Sequence, residues 1–119
     1  MILVVDDDHV FLHKAQAAFS KPPNSELIFA KDALQALKLL TALGDDFSIA
    51  LIDLDLPDVN GFELIGSVRK QFPQMPIIAM SGAYSSSVLE SAKAFGATEV
   101  LSKPITSEWK ATVERVRHH

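Results

Sequence analysis

Three strand-like segments of the chain end in charged side chains whose types suit phosphoryl chemistry. The segments and the residues that follow them are Ile2–Val5 with Asp6 and Asp7, residues 49–52 with Asp53, and Glu99–Ser102 with Lys103. Carboxylates that converge repel one another, and a hard cation such as Mg²⁺ relieves that repulsion while it also binds phosphate oxygens. An aspartate beside such a cation can attack phosphorus and form an aspartyl phosphate. On position alone, Asp53 is a candidate nucleophile, metal ligand or solvated turn residue.

The order of segments along the chain would bring these charged ends to one edge of a sheet. Apolar runs predict strands over residues 2–5, 26–30, 49–54, 76–80 and 98–102. Helical periodicity predicts helices over residues 9–20, 32–43, 61–71, 85–95 and 108–117. Such alternation is typical of an α/β, doubly wound domain with helices on both faces of a parallel sheet. We predict one (βα)5 domain with a five-stranded parallel sheet, whose shorter, less apolar second strand lies nearer an edge.

Local signals refine the ends and faces of the helices. Asp8 is the predicted N-cap of the first helix, and Ser107 that of the last. Helical periodicity predicts that Leu34 on the second helix and Phe95 on the fourth helix face the core. Trp109, at the start of the last helix, either packs in the core or forms an exposed docking contact.

Composition narrows the classes of protein that this chain can belong to. Its 119 residues fit one domain, and 48% hydrophobic residues can form a normal core. The net charge of −4 argues against direct binding of nucleic acid, and no apolar segment is long enough to span a membrane. The chain has no cysteine and no signal-peptide pattern, which favours a reducing, cytoplasmic location. We predict that residues 1–117 form the domain and that residues 118–119 are either a tail or the remnant of a purification tag.

Two strand ends supply groups that could hold an anion. Ser81 follows the fourth predicted strand with a hydroxyl donor, and Gly82 leaves its backbone N–H unobstructed. We predict that the fifth strand is buried, so the ammonium of Lys103 at its end needs an anionic partner. Pro104 fixes the next turn and permits a cis peptide bond.

The ordered set of motifs resembles the receiver domain of response regulators. The motifs are residues 5–8, residues 53–57 with Gly61, residues 81–83, and Gly96-Ala97 leading to Lys103-Pro104. The resemblance spans the whole chain and implies the strand order 2-1-3-4-5, with Mg²⁺ as the cofactor. It also implies a phosphoryl donor, either a histidine kinase or a histidine phosphotransfer protein. An output or kinase domain elsewhere in the full-length chain and a dimer on phosphorylation are further expectations from the family.

The resemblance also assigns a role to each site residue. Asp53 would be the phosphoacceptor, and it would act with Lys103 and Ser81 in phosphoryl transfer. The phosphoryl group would be held by Leu54, Ser81, Gly82 and Lys103. The metal would be held by Asp6, largely through water, and directly by Asp7, by Asp53 and by the backbone carbonyl of Asp55. Ser81 and the residue at the position of Val100 would form the switch.

Three residues depart from the usual family pattern or add to it. Receivers usually carry an aromatic residue or histidine at the position of Val100, and a valine cannot gate a pocket by swinging inward. We therefore predict a weaker or differently routed switch, through residues 81–95. The carboxylate of Asp55 lies close to the attacking or leaving water, and the sequence does not decide whether it orients or repels that water. Tyr84 either shields the site or touches a partner.

Other classes of function account for the sequence less well. A receiver modifies itself and is not an ordinary turnover enzyme. Haloacid-dehalogenase-like phosphatases share Asp53-Leu54-Asp55, but there the motif normally follows the first strand of a longer chain. A flavodoxin-like nucleotide-binding module would need a hydroxyl-rich and glycine-rich loop where this chain has three aspartates. The remaining alternative is a receiver fold that acts as a scaffold without phosphorylation.

Overall fold

The strands form one parallel sheet, as the sequence predicts. The computed structural model describes residues 1–22, 24–82 and 86–118, with the backbone alone at Ser86 and Leu89. The strands are β1 (Ile2–Val5), β2 (Leu27–Ala30), β3 (Ile49–Asp53), β4 (Ile77–Ser81) and β5 (Glu99–Ser102). They are hydrogen-bonded in the order β2-β1-β3-β4-β5, and every pair is parallel. The predicted strand order and the edge position of β2 are both confirmed.

A helix follows each strand, and polar side chains cap the starts of the first, second, third and fifth helices. The helices are α1 (His9–Phe19), α2 (Ala33–Leu43), α3 (Gly61–Gln71), α4 (Ser86–Phe95) and α5 (Ser107–Arg117). Asp8 caps α1 as predicted, and its carboxylate accepts from the N–H groups of Val10 and Phe11. Thr106, and not Ser107, caps α5, because its hydroxyl accepts from the N–H of Glu108. Within the described ranges, no helix has the length and apolar character needed to cross a membrane.

The two faces of the sheet are covered by different helices and form two cores. On one face, alternate strand residues pack against α2, α3 and α4; Leu40 and Ile65 are among the buried helix residues. On the other face, the remaining strand residues pack against α1 and α5, where Phe19 and Val113 are buried. Because side chains alternate along a strand, neighbouring strand residues lie in opposite cores. Both faces of the sheet are therefore packed against helices.

Two predicted helix faces and one predicted strand environment are wrong. Leu34 on α2 is 60% exposed and Phe95 on α4 is 51% exposed, whereas Ala36 is fully buried. The fifth strand is not fully buried either, because β5 lies at an edge and is only partly covered. The predicted start of the fourth helix at Ser85 falls outside the described residues.

Candidate functional site

The register of the sheet brings the acidic strand ends together. Val5 pairs with Ile52, so Asp6 and Asp53, one residue further along each strand, come side by side at the carboxyl edge of the sheet. Both side chains are buried, at 0% and 4% exposure, whereas Asp7 is exposed. Ligands of open α/β sheets bind at this edge. The prediction that these residues converge is correct.

The three aspartates form a group that fits a hard divalent cation. One carboxylate oxygen from each of Asp6, Asp7 and Asp53 lies within 4.8 Å of the other two. The Oδ2 atom of Asp6 is buried and lies beside the Lys103 ammonium. An all-oxygen donor set of converging carboxylates suits Mg²⁺, which binds one or two carboxylates and retains waters.

Lys103 neutralises part of this negative charge. Its Nζ lies 2.5 Å from Asp6 Oδ2 and 3.2 Å from Asp53 Oδ2. The contact to Asp53 is a hydrogen bond, and the contact to Asp6 is a close ion pair. Burial lowers the pKa of Lys103, but the Asp6 and Asp53 carboxylates outweigh burial and raise that pKa above its usual value. Lys103 is therefore a cation when the site is assembled, and the predicted anionic partner is present.

Asp53 is held in an environment that opposes its negative charge. Burial first, and then the neighbouring Asp6 carboxylate, raise the pKa of its carboxyl group from 3.8 to about 6. The backbone N–H of Asp55, which donates to Asp53 Oδ1 at 3.2 Å, and Lys103 oppose that rise. A cation bound at this position would favour the ionised form of Asp53, which is the form that can attack phosphorus.

The loop after Asp53 approaches the strand end closely because residue 61 is glycine. The N–H of Gly61 donates to the Leu54 carbonyl at 2.9 Å. A β-carbon at Gly61 would lie 2.3 Å from the Asp53 carbonyl oxygen and 2.5 Å from Leu54 Cα.

A cavity of about 450 Å³, lined by Asp7 and residues 54–60, opens beside the acidic group. Asp55 is exposed. The predicted role of its carbonyl in metal binding stays a prediction.

The predicted phosphoryl-binding and switch residues lie at the ends of neighbouring strands. Ser81, at the end of β4, is 2% exposed, and its carbonyl accepts from the Lys103 N–H at 2.9 Å. Gly82 is exposed, and a β-carbon there would meet no atom of the described residues within 4 Å. The N–H of Leu54 donates to the Met80 carbonyl, so this donor is already used within the sheet. Val100 is half-buried and packs against the core that lies between the sheet and α2, α3 and α4. Ala83 and Tyr84 lie outside the described residues.

Two side chains at the site are not identified by sequence reasoning. Phe11 on α1 places its ring centroid 4.7 Å from Lys103 Nζ. Asp58, in the loop after β3, accepts from the N–H groups of Ala33 and Leu34 at the start of α2, both at 3.0 Å. These hydrogen bonds lower the pKa of the Asp58 carboxyl. A single sequence carries no signal for either contact, because the partners are 92 and 25 residues apart.

Comparison with known families matches almost the whole chain. A family model described as the response regulator receiver domain matches residues 2–113. A curated protein, the regulator of RpoS from Escherichia coli strain K12, is 30% identical over 104 residues. That match covers 87% of this chain and 30% of the relative, so the chain spans less than a third of the length of that relative.

Solved structures show the same fold at low sequence identity. The chemotaxis protein CheY4 of Vibrio cholerae superposes with a TM-score of 0.86 and 28% identity, covering 97% of this chain and 96% of that structure. The signal receiver domain of an HD domain-containing protein from Pseudomonas fluorescens Pf-5 has a TM-score of 0.88 and 29% identity, covering 99% and 94%. The resemblance predicted from the motifs is confirmed.

Proposed function

Because the chain belongs to the response regulator receiver domain family, in which two-component signalling proteins take up phosphoryl groups, we propose that Asp53 is its phosphoacceptor. The observation that supports this is the position of Asp53. It is 4% exposed, its carboxylate lies 3.2 Å from the Lys103 ammonium, and it shares one strand edge with two further acids. An acid that served only as a turn residue would be solvated.

The proposed reaction transfers a phosphoryl group from a phosphohistidine of a partner protein. An ionised Asp53 oxygen forms a bond to phosphorus, while the phosphorus–nitrogen bond breaks and its electron pair returns to the imidazole. Lys103 loses one carboxylate partner in the process and pairs with the new phosphoryl oxygens. The Ser81 hydroxyl and the Gly82 N–H, at the end of β4, are the proposed donors to the same group.

Mg²⁺ is the proposed cofactor, and the acidic group is its proposed site. Bound there, the ion would neutralise phosphoryl oxygens that otherwise repel the attacking carboxylate. Asp6, Asp7 and Asp53 would hold it with the carbonyl of Asp55. The exposed position of Asp7 and the burial of Asp6 agree with an ion that enters from the solvent side of the sheet edge.

The partners follow from the family and from the short span of the chain. We propose a histidine kinase or a histidine phosphotransfer protein as the donor, and cytoplasm as the compartment in which they meet. An output or kinase domain beyond the matched region, and a dimer on phosphorylation, are proposals of the same kind. The donor is tested with a purified histidine phosphotransfer protein that carries a labelled phosphoryl group. Transfer is measured as loss of label from that protein and gain of label on this chain.

The acceptor residue is tested by mass spectrometry of the intact protein. The chain is incubated with Mg²⁺ and acetyl phosphate, and we expect one phosphoryl adduct on the wild type and none on Asp53→Asn. Asp8→Asn is the matched control, because Asp8 lies at the same edge and asparagine caps a helix as well as aspartate does. An adduct that persists on Asp53→Asn would disprove the assignment, and a wild type without an adduct would favour a scaffold.

A further inference from the structure

An aromatic pair lies directly behind the lysine of the site. Phe11 on α1 is 4% exposed, and its ring centroid is 4.7 Å from the Lys103 ammonium. The other side of the pair is Trp109 on α5, which is 2% exposed. The two ring centroids are 5.5 Å apart at an interplanar angle of 61°, which is the edge-to-face geometry that aromatic pairs prefer. A cation over a buried ring is attracted by the negative face of that ring.

Trp109 also holds the backbone beside this lysine. Its indole N–H donates to the carbonyl of Ser102 at 3.2 Å, and Ser102 immediately precedes Lys103. On the other side of the same peptide, the Lys103 N–H donates to the Ser81 carbonyl at 2.9 Å. The main chain at Lys103 is therefore fixed from α5 and from β4, while Phe11 limits where the ammonium can move.

We propose that Trp109 and Phe11 are positioning residues that hold the Lys103 ammonium where it meets the phosphoryl group. The proposal rests on the proposed function of Asp53, because it assigns these two residues to the same reaction. Trp109 acts through its hydrogen bond to the Ser102 carbonyl and its contact with the Phe11 ring, and Lys103 depends on both. A lysine has four rotatable side-chain bonds, so a fixed backbone and a fixed ring reduce the positions open to it.

The first test measures the phosphorylation rate with acetyl phosphate and Mg²⁺ in a double-mutant cycle. Trp109→Phe keeps a ring but removes the indole donor, and we expect a rate lower by a factor of about 2 to 10. Phe11→Leu removes the cation–π contact, with a similar expected loss of about 3- to 10-fold. In a Lys103→Met background, Trp109→Phe should cause no further loss, because its effect passes through the lysine. An equal loss in both backgrounds would overturn the proposal.

A control on the same helix separates positioning from general damage to the core. Val116, seven residues further along α5, is 5% exposed. Val116→Ala should lower stability and leave the phosphorylation rate of the folded protein unchanged. If Val116→Ala slows phosphorylation as much as Trp109→Phe does, the role of Trp109 is structural only. Circular dichroism confirms that each variant is folded before its rate is compared.

A second measurement does not depend on phosphorylation. Trp109 is the only tryptophan of the chain, so one indole N–H signal in a nuclear magnetic resonance spectrum reports the bond to Ser102. We expect Lys103→Met to shift that signal, whereas Lys93→Met, at an exposed lysine of α4, leaves it in place. An unshifted signal in Lys103→Met would overturn the proposal even if Asp53 is phosphorylated. If the wild type gains no phosphoryl adduct but Lys103→Met still shifts the indole signal, the proposed function is disproved. The link between Trp109 and Lys103 is retained in that case.

Discussion

The balance of charge at Asp53 determines how this site responds to protons and to metal. Two buried aspartates share one lysine, so the group is short of positive charge when no cation is bound. Burial and the Asp6 carboxylate raise the pKa of Asp53 to about 6. The folded protein therefore holds a proton at Asp53 that the unfolded chain would release at a lower pH.

This difference predicts a pH dependence of stability in the absence of metal. Because the folded pKa of Asp53 lies above its ordinary value of 3.8, this group lowers the free energy of unfolding as the pH rises through about 6. Asp53→Asn removes the effect. Without metal, we expect the variant to gain about 1–2 kcal/mol relative to the wild type between pH 4 and pH 7. Urea unfolding in a chelator at several pH values measures this gain.

Addition of Mg²⁺ provides the matching control for that experiment. A bound cation stabilises the ionised carboxylates, so we expect saturating Mg²⁺ to stabilise the wild type more than Asp53→Asn at pH 7. A relative stability that does not change with pH in the chelator would contradict the raised pKa of Asp53.

The residues of the site were predictable from the sequence, but their pairing was not. Asp53 and Lys103 follow recognisable strands, and the shared edge of a parallel sheet brings them together. The ion pair between Lys103 and Asp6 depends on the register of β1 and β3 and on side-chain rotamers. The packing of Phe11 under the ammonium depends on how α1 lies on the sheet. Periodicity identifies which face of a helix is buried and does not give such distances.

At the scale of elements, the approach of α3 to the end of β3 depends on one glycine. Gly61→Ala would place a β-carbon 2.3 Å from the Asp53 carbonyl oxygen, so α3 or the loop must move. We expect a loss of about 1–3 kcal/mol in the free energy of unfolding and slower phosphorylation. Chemical denaturation and the intact-mass assay measure the two effects.

Gly66, on the same helix, is the matched control for Gly61. A β-carbon there would meet only the Phe95 ring, at 3.8 Å, which is ordinary van der Waals contact. Gly66→Ala should raise stability by about 0.5–1 kcal/mol, because alanine loses less backbone entropy in a helix. If the two variants behaved alike, close backbone approach at Gly61 would not be the cause.

The errors in the predicted helix faces have a common physical origin. Leu34 and Phe95 fit an apolar stripe in the sequence, yet both lie at the margin of the stripe and are more than half exposed. Phe95 still contacts the ring of Phe62 on α3, with centroids 5.4 Å apart. Exposure at the margin of a stripe depends on how each helix packs against its neighbours, and the pattern of a single helix does not contain the position of those neighbours.

At the scale of the whole molecule, we expect Val100 to affect how phosphorylation reaches distant surfaces. Its side chain is half-buried and packs on the face that carries α2, α3 and α4. A valine has no ring to swing, so we expect a phosphoryl mimic to shift resonances mainly over residues 81–95. Spectra recorded with Mg²⁺ alone and with Mg²⁺ and beryllofluoride would locate the change. Large shifts across Val100 and along α5 beyond its first turn would refute this expectation.

The overall topology was predictable for a reason that operates at this scale. Alternation of strands and helices restricts the chain to a parallel sheet with right-handed connections, and this much follows from the sequence pattern. The order of the strands came from the resemblance to receivers, because alternation alone permits several orders. The two cores, one for α1 and α5 and one for the other helices, follow once that order is fixed.

The contact between Asp58 and α2 ties the local unfolding of two segments together. Asp58 accepts from two N–H groups of α2, while Asn60, two residues later, accepts from the N–H of Glu63 in α3. The loop that carries the site thus supplies caps to both neighbouring helices. Opening of this loop would expose the first-turn amides of α2 to solvent. Hydrogen exchange at the amides of Ala33 and Leu34 would therefore become faster when the loop opens, although neither residue belongs to the loop.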